Sequence, residues 1–257
     1  MNRSRHLFLS LCGLLLTSCS RPTSEVKGET ALLSRVKSGL VERDRKLYAF
    51  HLEGSVTEAG TEARFTFDYR SPHRMRGTLH GPPARTLSFD GTRLYSLDGA
   101  ARQLTRTALT GSGAESTLML NQLFAPFAPE GYRAPLFSNS GTEVRMTSHP
   151  RTPEAVELRV RTRDPSIGEL TVTYLLRWPA LDFLEKRTEL GEVASVLAMQ
   201  EETCTPELKL CLPRRLLRTD NGRPGALTRL SAVRLNTPLP TEAFTLTAPS
   251  GFAVAGP

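Results

Sequence analysis

The sequence predicts a single α+β domain in which an N-terminal helix accompanies a large, curved antiparallel sheet of about 11 strands. Two patterns lead to this prediction. Apolar residues recur at helical spacing over residues 29–46, and from Tyr48 onward they alternate with polar residues at period two. No internal repeat and no interdomain linker follows residue 28. A sheet with so many strands has to curl, split or close.

The first 18 residues have the organisation of an export signal. Arg3 and Arg5 form a positive n-region, and a short apolar run leads to Leu16-Thr17-Ser18-Cys19. That run is too short to span a hydrocarbon core of about 30 Å. The tetrapeptide resembles the lipobox of bacterial lipoproteins, which predicts cleavage before Cys19 and lipidation of its thiol. An ordinary secretory signal with a nearby cysteine is the alternative interpretation.

Residues 19–28 are polar and lack periodicity, so we expect them to be a tether between the lipid and residues 29–257. Ser20 follows the lipidated cysteine, where the enterobacterial sorting rule would place Asp for retention at the inner membrane. We therefore expect a protein anchored by lipid to the outer membrane and facing the periplasm. Two or more acyl chains make such anchoring stable.

The first elements of the domain have the clearest patterns. Leu32, Leu33, Val36 and Leu40 are spaced as on one face of a helix over residues 29–46. In residues 63–70 an aromatic face alternates with a charged face, which predicts a half-buried strand.

The remaining strands are predicted as hairpins and a meander. A turn at Ser71-Pro72 leads to a partner strand through residues 75–79, and Asp90-Gly91 suits a tight turn between residues 87–89 and 94–97. Residues 98–116 and 128–141 are predicted as loops, and residues 117–127 as a short apolar helix. Further strands are predicted at 144–146, 156–160, 170–178, 183–190, 194–203, 209–218, 227–235 and 244–247.

Two cysteines remain in the mature chain besides Cys19. Cys204 and Cys211 flank a six-residue segment, and a turn at Glu207-Leu208 would place them opposite each other within disulfide reach. Export to an oxidising compartment favours a disulfide. A two-cysteine metal site is the competing interpretation, although no histidine lies nearby in the sequence to complete it.

The sequence lacks the motifs of the common enzyme classes. It contains no G-x-S-x-G elbow, H-E-x-x-H pair, P-loop or G-x-G-x-x-G fingerprint. The histidines stand singly, without a ligand at metal-binding spacing, and the arginines are scattered without a basic cluster among aromatic residues. We expect no catalytic activity, cofactor, metal or nucleic-acid partner.

Three segments together resemble the LolA/LolB-like superfamily of periplasmic lipoprotein carriers. The first is the helix 29–46 leading into the strand pair 48–70. The second is residues 87–97, similar to a family hairpin in which an Asp-Gly turn precedes leucine and an aromatic residue. The third is residues 236–251, in which Phe-Thr-Leu is followed by Pro-Ser-Gly.

The resemblance implies an unclosed β-half-barrel under a helical lid, with an apolar cavity for acyl chains. It assigns to the lid Leu118, Met119, Leu120, Leu123, Phe124 and Phe127. It assigns to the cavity Phe65, Phe67, Tyr69, Met75, Leu87, Phe89, Tyr95, Val172, Tyr174 and Leu176. Ordinary core packing is the alternative interpretation for each of these residues.

The chain also departs from the family pattern. Soluble carriers are not lipidated, so Cys19 makes this chain more similar to the anchored receptor. The family's basic residue at the cavity mouth precedes proline directly, whereas Arg70 stands two positions before Pro72. The hairpin at residues 204–211 has no counterpart in the pattern.

The expected function is noncatalytic. The resemblance implies a membrane-anchored protein that receives, sorts or inserts lipoproteins or lipids through an apolar cavity, with their acyl chains as its ligands. The alternative is an envelope sensor or regulator that uses the same half-barrel to bind a protein partner.

Overall fold

The computed structural model describes residues 23–81, 83–109, 120, 123–124, 127–135, 137, 141–164 and 168–256. One α-helix precedes the strands, and a 310 helix lies near the C-terminus. The elements are α1 (Thr23–Lys46), β1 (Ala49–Glu58), β2 (Thr61–Arg70), β3 (Arg74–His80), β4 (Arg85–Phe89), β5 (Arg93–Asp98), β6 (Gln103–Ala108), β7 (Thr142–His149), β8 (Thr152–Asp164), β9 (Gly168–Arg177), β10 (Asp182–Leu190), β11 (Val193–Thr205), β12 (Leu210–Asp220), β13 (Arg223–Leu235), the 310 helix (Thr241–Phe244) and β14 (Ala253–Ala255).

The strands form one unclosed sheet whose two edges are β14 and β7. Its order is β14-β6-β5-β4-β3-β2-β1-β13-β12-β11-β10-β9-β8-β7, and all neighbours are antiparallel except β14 and β6. The 14 strands in the described residues exceed the predicted number of about 11. One of the additional strands is β6, which lies in a segment predicted as a loop. Strand β6 contains one large apolar residue, Leu104, so it lacks the alternating pattern of a strand.

The C-terminal segment also differs from the prediction. Residues 244–247 do not form a strand. The 310 helix ends at Phe244, and the last strand is β14. Ser88 donates a hydrogen bond to the Phe244 carbonyl at 2.6 Å and Arg76 donates one to the Ala243 carbonyl at 3.1 Å, which holds this segment against β3 and β4.

Helix α1 begins at Thr23, six residues before the predicted start, so residues 23–28 of the expected tether are helical. Among the side chains that the structure describes, the apolar contacts of α1 begin at Leu32, where the periodicity of the sequence also begins. Within the described chain, no helix has the length and apolar character that crossing a membrane requires.

Two apolar clusters lie on the face of the sheet that is covered by α1 and by the described residues among 120–132. We call this face the inner face. The first involves β1–β4, β12 and β13, together with residues 120, 124, 127 and 132. The second lies between α1 and strands β7–β9, with Val36, Val156 and Leu158 fully buried. The inner face is thus covered by a helix over one half and by a short segment over the other.

Candidate functional site

The first cluster is built from successive rows of side chains that cross the inner face. Phe50 pairs with Tyr69, Tyr69 with Met75, and Met75 with Phe89. Because antiparallel pairing places opposite residues on the same face, these four side chains line one row. All four are buried, and the Phe50 and Tyr69 rings stack with centroids 5.0 Å apart.

A single segment covers this half of the sheet. We call its described residues Leu120, Leu123, Phe124 and Phe127 the cover. The Phe127 N–H donates to the Phe124 carbonyl at 2.9 Å, which forms one helical turn, and the Phe124 ring lies 6.2 Å from the Phe67 ring. Leu120, Phe124 and Phe127 are buried, and Leu123 packs against the cluster while half-buried. The cover side chains are all hydrocarbon, so they hold their place by packing alone.

Gly77 provides the space for Phe127. A β-carbon at Gly77 would lie 2.4 Å from Phe127 Cγ and 2.8 Å from Phe127 Cβ, closer than real β-carbons approach other atoms. Phe67 and Leu87, the cross-strand neighbours of Gly77, flank this position on the inner face. The glycine therefore leaves a gap in the row, and the ring of Phe127 fills it.

The loop that follows the cover is fixed by polar contacts. The Tyr132 hydroxyl donates to the Pro213 carbonyl at 2.9 Å, and the Ala134 N–H donates to Asp44 Oδ1 at 2.9 Å. The Arg43 guanidinium donates to the Gly131 carbonyl. Residues 130–134, which we call the pinned loop, are thereby tied to both α1 and β12.

Arg43 and Asp182 are both buried near this loop. The pKa of Arg43 is lowered by burial, an effect that the charges of Asp182 and Asp44 partly offset. Burial raises the pKa of the Asp182 carboxyl, although the Cys211 N–H at 3.0 Å and the charges of Arg43 and Arg177 act in the opposite direction. Opposite charges thus compensate each other between α1 and the start of β10.

Side chains of the described residues pack closely on the inner face. A cavity of about 10 Å³, roughly the space of one water molecule, lies between the pinned loop, α1 and strands β9–β10, next to Arg43 and Leu181. In the first cluster, Leu120, Phe124, Phe127 and Tyr132 pack against the wall of the sheet. An acyl chain that packs on Phe67 and Gly77 would take the place of Phe124 and Phe127.

The structure brings together most of the residues assigned to the cavity and the lid. Leu118 and Met119 lie outside the described residues, as does Cys19, and a helical lid is not shown. The residues that meet in the first cluster are Phe65, Phe67, Tyr69, Met75, Leu87 and Phe89 with Leu120, Leu123, Phe124 and Phe127.

Three other assigned residues lie in the second half of the sheet. Leu176 and Tyr174 pack in the cluster beneath α1, and the half-buried Val172 pairs with Val160, which packs against the same cluster. The segment that covers the first cluster is therefore not the one that covers these three residues.

Tyr95 lies on the other face of the sheet, contrary to the prediction. It pairs with Ser88, whose hydroxyl reaches the C-terminal segment, and it packs with Leu104 and Leu246. Phe89 pairs with Leu94, so Leu94 and not its neighbour Tyr95 shares the inner face with Phe89. Successive side chains of a strand point to opposite faces, and a two-residue turn at Asp90-Gly91 would place Tyr95 on the outer face as well.

Arg70, the residue compared with the family's basic residue at the cavity mouth, lies on the outer face of the sheet. It alternates with Tyr69, and its guanidinium donates to the Leu239 carbonyl at 2.7 Å, so it holds the C-terminal segment. Arg133 is a cation beside the inner face, with its Cζ 4.9 Å from the centroid of the Tyr69 ring and a guanidinium nitrogen 3.6 Å from the sulfur of Met75. Its position in a loop rich in proline and glycine gave no sequence signal.

The predicted cysteine hairpin is confirmed. Cys204 and Cys211 pair directly across β11 and β12 and form a disulfide, so their thiols are not free to be metal ligands. The His51 ring nitrogens lie 2.6 Å from Asp68 Oδ1 and 3.0 Å from Glu53 Oε1, hydrogen-bonding contacts that the spacing of the histidines in the sequence did not indicate. This charge network lies on the outer face of β1 and β2.

Two solved structures resemble this fold over most of its length. A domain of an outer membrane lipoprotein-sorting protein from Vibrio parahaemolyticus covers 82% of this chain and 95% of its own, at 11% identity and a TM-score of 0.53. A LolA superfamily protein from Nitrosomonas europaea covers 82% and 97%, at 13% identity and a TM-score of 0.52. No protein-family model and no curated protein matches the sequence. The chain has the LolA-like fold.

Proposed function

We propose that this protein binds acyl chains on the inner face of its LolA-like sheet and, held on the outer membrane by lipid, receives, sorts or inserts lipoproteins or lipids there. The observation that supports the proposal is the first cluster. Its aromatic and aliphatic wall is closed by the hydrocarbon side chains of one short segment and not by a second sheet. A wall of this kind suits a flexible hydrocarbon ligand, because dispersion and burial need no directional partner.

The proposed binding step is an exchange of one hydrocarbon for another. Phe124 and Phe127 leave the inner face, and an acyl chain occupies the space against Phe67, Met75 and Gly77. Each Å² of apolar surface buried contributes about 25 cal/mol, so the chain's burial offsets the exposure of the rings. The net affinity depends on the difference between the apolar area that the acyl chain buries and the apolar area that the two rings expose.

The pinned loop stays in place during this exchange. Residues 130–134 are held by Arg43, Asp44 and the Pro213 carbonyl, whereas the cover side chains have only apolar contacts. Displacement of the cover therefore leaves the polar contacts of the loop intact. No ATP-binding motif is present in the sequence, so the direction of transfer comes from differences in affinity between this site, its cargo's donor and the bilayer.

The same proposal includes the anchor at Cys19. An envelope location agrees with the outer membrane lipoprotein-sorting protein that shares the fold. Acyl chains on Cys19 keep the inner face close to the bilayer that supplies or accepts the cargo.

Native mass spectrometry of the protein purified in mild detergent, together with displacement of a fluorescent fatty acid, tests the proposal. We expect bound species with the masses of lipids or acylated peptides and saturable fatty-acid binding. Absence of both contradicts it. A single stoichiometric protein partner in crosslinking pulldown, without acylated cargo, favours a sensor on the same fold.

A further inference from the structure

Arg133 lies at one end of the first cluster, where β2 ends and β3 begins. Its guanidinium contacts the Tyr69 ring and the sulfur of Met75 on the inner face. Met75 stands two residues along β3 from Gly77, against which the ring of Phe127 packs. Two strand residues rise about 7 Å. The cation is therefore about one row of side chains away from the space that the cover fills.

From this end, the first cluster continues along the strands for the length of a long acyl chain. Beyond the space of the cover, Phe65 pairs with Leu79, and the next row contains Val56, which pairs with Ala63. Tyr69 and Ala63 are six residues apart on β2, which corresponds to about 20 Å. An extended palmitoyl chain has about this length. A chain that lies along the strands would thus have one end beside the guanidinium.

Arg133 places positive charge at this end of the cluster. Partial burial and the charge of Arg133 lower the pKa of His73, which lies in the turn between β2 and β3. The Asp44 carboxyl of α1 faces the same charge. Burial raises its pKa, whereas the hydrogen bond from the Ala134 N–H and the charges of Arg133 and Arg43 lower it. A guanidinium has five N–H donors, so Arg133 can bind a further anion while it stays close to Asp44.

The groups that Arg133 contacts in the first cluster are weak acceptors. A thioether sulfur accepts hydrogen bonds weakly, and an aromatic ring attracts a cation only through its quadrupole. Carboxylate and phosphate oxygens form short, charge-assisted and often bidentate hydrogen bonds with arginine. An acidic head group at this position therefore binds more tightly than a neutral one. Because Arg133 belongs to the pinned loop, it stays beside the inner face when the cover leaves.

We propose that Arg133 binds the acidic head group of a lipid whose acyl chain occupies the first cluster. The ligand is a fatty acid or an acidic phospholipid, which share an anionic oxygen attached to a hydrocarbon chain. The diacylglycerol thioether of a lipoprotein has no negative charge, so among the cargoes of the proposed function this assignment selects acidic lipids. It rests on the proposed binding of acyl chains and adds the chemistry of the head group.

Three ligands with the same palmitoyl chain test the assignment. They are palmitate, palmitoyl-lysophosphatidylglycerol and the neutral 1-palmitoylglycerol. The full protein in mild detergent at a pH of about 8, where palmitate is ionised, is incubated with an equimolar mixture, and native mass spectrometry measures which ligand is bound. We expect each anion to occupy at least ten times as much protein as the neutral lipid. The anion that binds more tightly identifies the preferred head group as carboxylate or phosphate.

Variants at two arginines locate the source of this preference. Arg133→Gln removes the charge and should bring the three ligands to within about twofold of one another. Arg133→Lys keeps the charge and should retain most of the preference. Arg64→Gln is the matched control, because Arg64 is an exposed arginine on the outer face of β2 and its replacement changes the net charge equally. The preference of this variant should equal that of the wild type.

Equal occupancy by the three ligands in the wild type overturns the head-group assignment and leaves acyl-chain binding intact. That comparison does not depend on the folding of any variant. A preference for the anions that survives in R133Q, or that R64Q removes as well, also overturns the assignment. Absence of every bound lipid overturns the proposed function itself.

Discussion

The ring of Phe127 lies against the backbone of Gly77, where a β-carbon would come within 2.4 Å of Phe127 Cγ. This contact joins a strand of the sheet wall to the segment that covers it. It also explains how a closed state forms without a second sheet, because the missing side chain in β3 leaves space for one aromatic ring. Changes at either residue should shift the balance between the closed state and the acyl-bound state.

Replacing Gly77 with alanine should weaken the closed state. The added methyl group overlaps the position of Phe127, and overpacking of this kind costs about 1–3 kcal/mol of unfolding free energy. Urea denaturation measures the loss. The control is Gly28→Ala in α1, where no atom lies within 4 Å of the added carbon. It should stabilise the protein by about 0.4–1 kcal/mol. An unchanged stability of G77A contradicts the close contact.

Replacing Phe127 with alanine should lower stability and raise acyl affinity. The loss of a buried phenylalanine costs about 3–5 kcal/mol, and the resulting apolar space no longer has to be vacated by a ring. We expect fatty-acid affinity to rise at least tenfold, which fluorescence titration measures. Phe244→Ala is the matched control, because Phe244 is fully buried but lies in the C-terminal segment next to Ser88. Higher affinity in both variants, or in neither, argues against the exchange.

Replacing Arg43 with methionine should be strongly destabilising. It removes the donor to the buried Gly131 carbonyl and one of the charges that offset the burial of Asp182, and leaving a buried polar group without its partner costs about 1–3 kcal/mol. The double variant R43M/D182N should recover part of this loss, because the introduced amide is neutral and its oxygen still accepts from the Cys211 N–H. Arg145→Met, in an exposed pair with Glu157, should cost at most about 1 kcal/mol. Additive losses in the double variant contradict the coupling.

The Asp90 carboxylate should contribute stability that disappears in acid. Burial of this carboxyl raises its pKa. Hydrogen bonds from the Arg93 and Thr92 N–H groups and from the Tyr95 hydroxyl lower the pKa by more, so that it lies below the usual value. Stability from a lowered pKa is present above the unfolded pKa of about 3.9 and is lost as pH falls through the folded pKa. Asp90→Asn should therefore cost about 1 kcal/mol at pH 7 after allowance for solvent screening.

Urea denaturation of the wild type and D90N between pH 7 and pH 2 measures how the stability contributed by Asp90 changes with pH. The difference between the two proteins should shrink toward zero below pH of about 3. A difference that grows on acidification contradicts it.

The disulfide should add stability without taking part in binding. Replacing both Cys204 and Cys211 with serine should cost about 2–3 kcal/mol, in keeping with a short closed loop. Fatty-acid affinity should stay within twofold of the wild type, since Leu210 and Leu212 still pack in the first cluster. Reductant should lower the stability of the wild type and leave the serine variant unchanged. A loss of binding in the serine variant contradicts this separation.

The sequence predicted those elements whose patterns are local. Alternation over residues 63–70 gave β2 and its inner face, and the spacing of Cys204 and Cys211 gave the hairpin register. Strand β6 was missed because its pairing depends on neighbours and not on its own apolar pattern. Tyr95 was assigned to the cavity although alternation from Phe89 through the turn places it on the outer face, beside Ser88.

The polar part of the site was the least predictable from sequence. Arg43 lies on a helix among several other charged residues, and only the approach of the pinned loop and of Asp182 distinguishes it. Nothing in the sequence around Gly77 indicates why this strand position is a glycine. The reason is its contact with Phe127, which only the structure shows. Contacts between segments distant in the chain depend on tertiary packing, which no local pattern encodes.

The central claim is that an acyl chain occupies the first cluster, and the methionines allow it to be measured directly. Met75 lies in this cluster, Met199 in a separate buried cluster and Met146 at the exposed β7 edge. NMR of the protein labelled at methionine methyl groups, titrated with a saturated fatty acid, reports on all three. We predict intermolecular NOEs from the acyl chain to the Met75 methyl and none to Met199. Saturating fatty acid that leaves Met75 without NOEs or chemical-shift change would contradict the account.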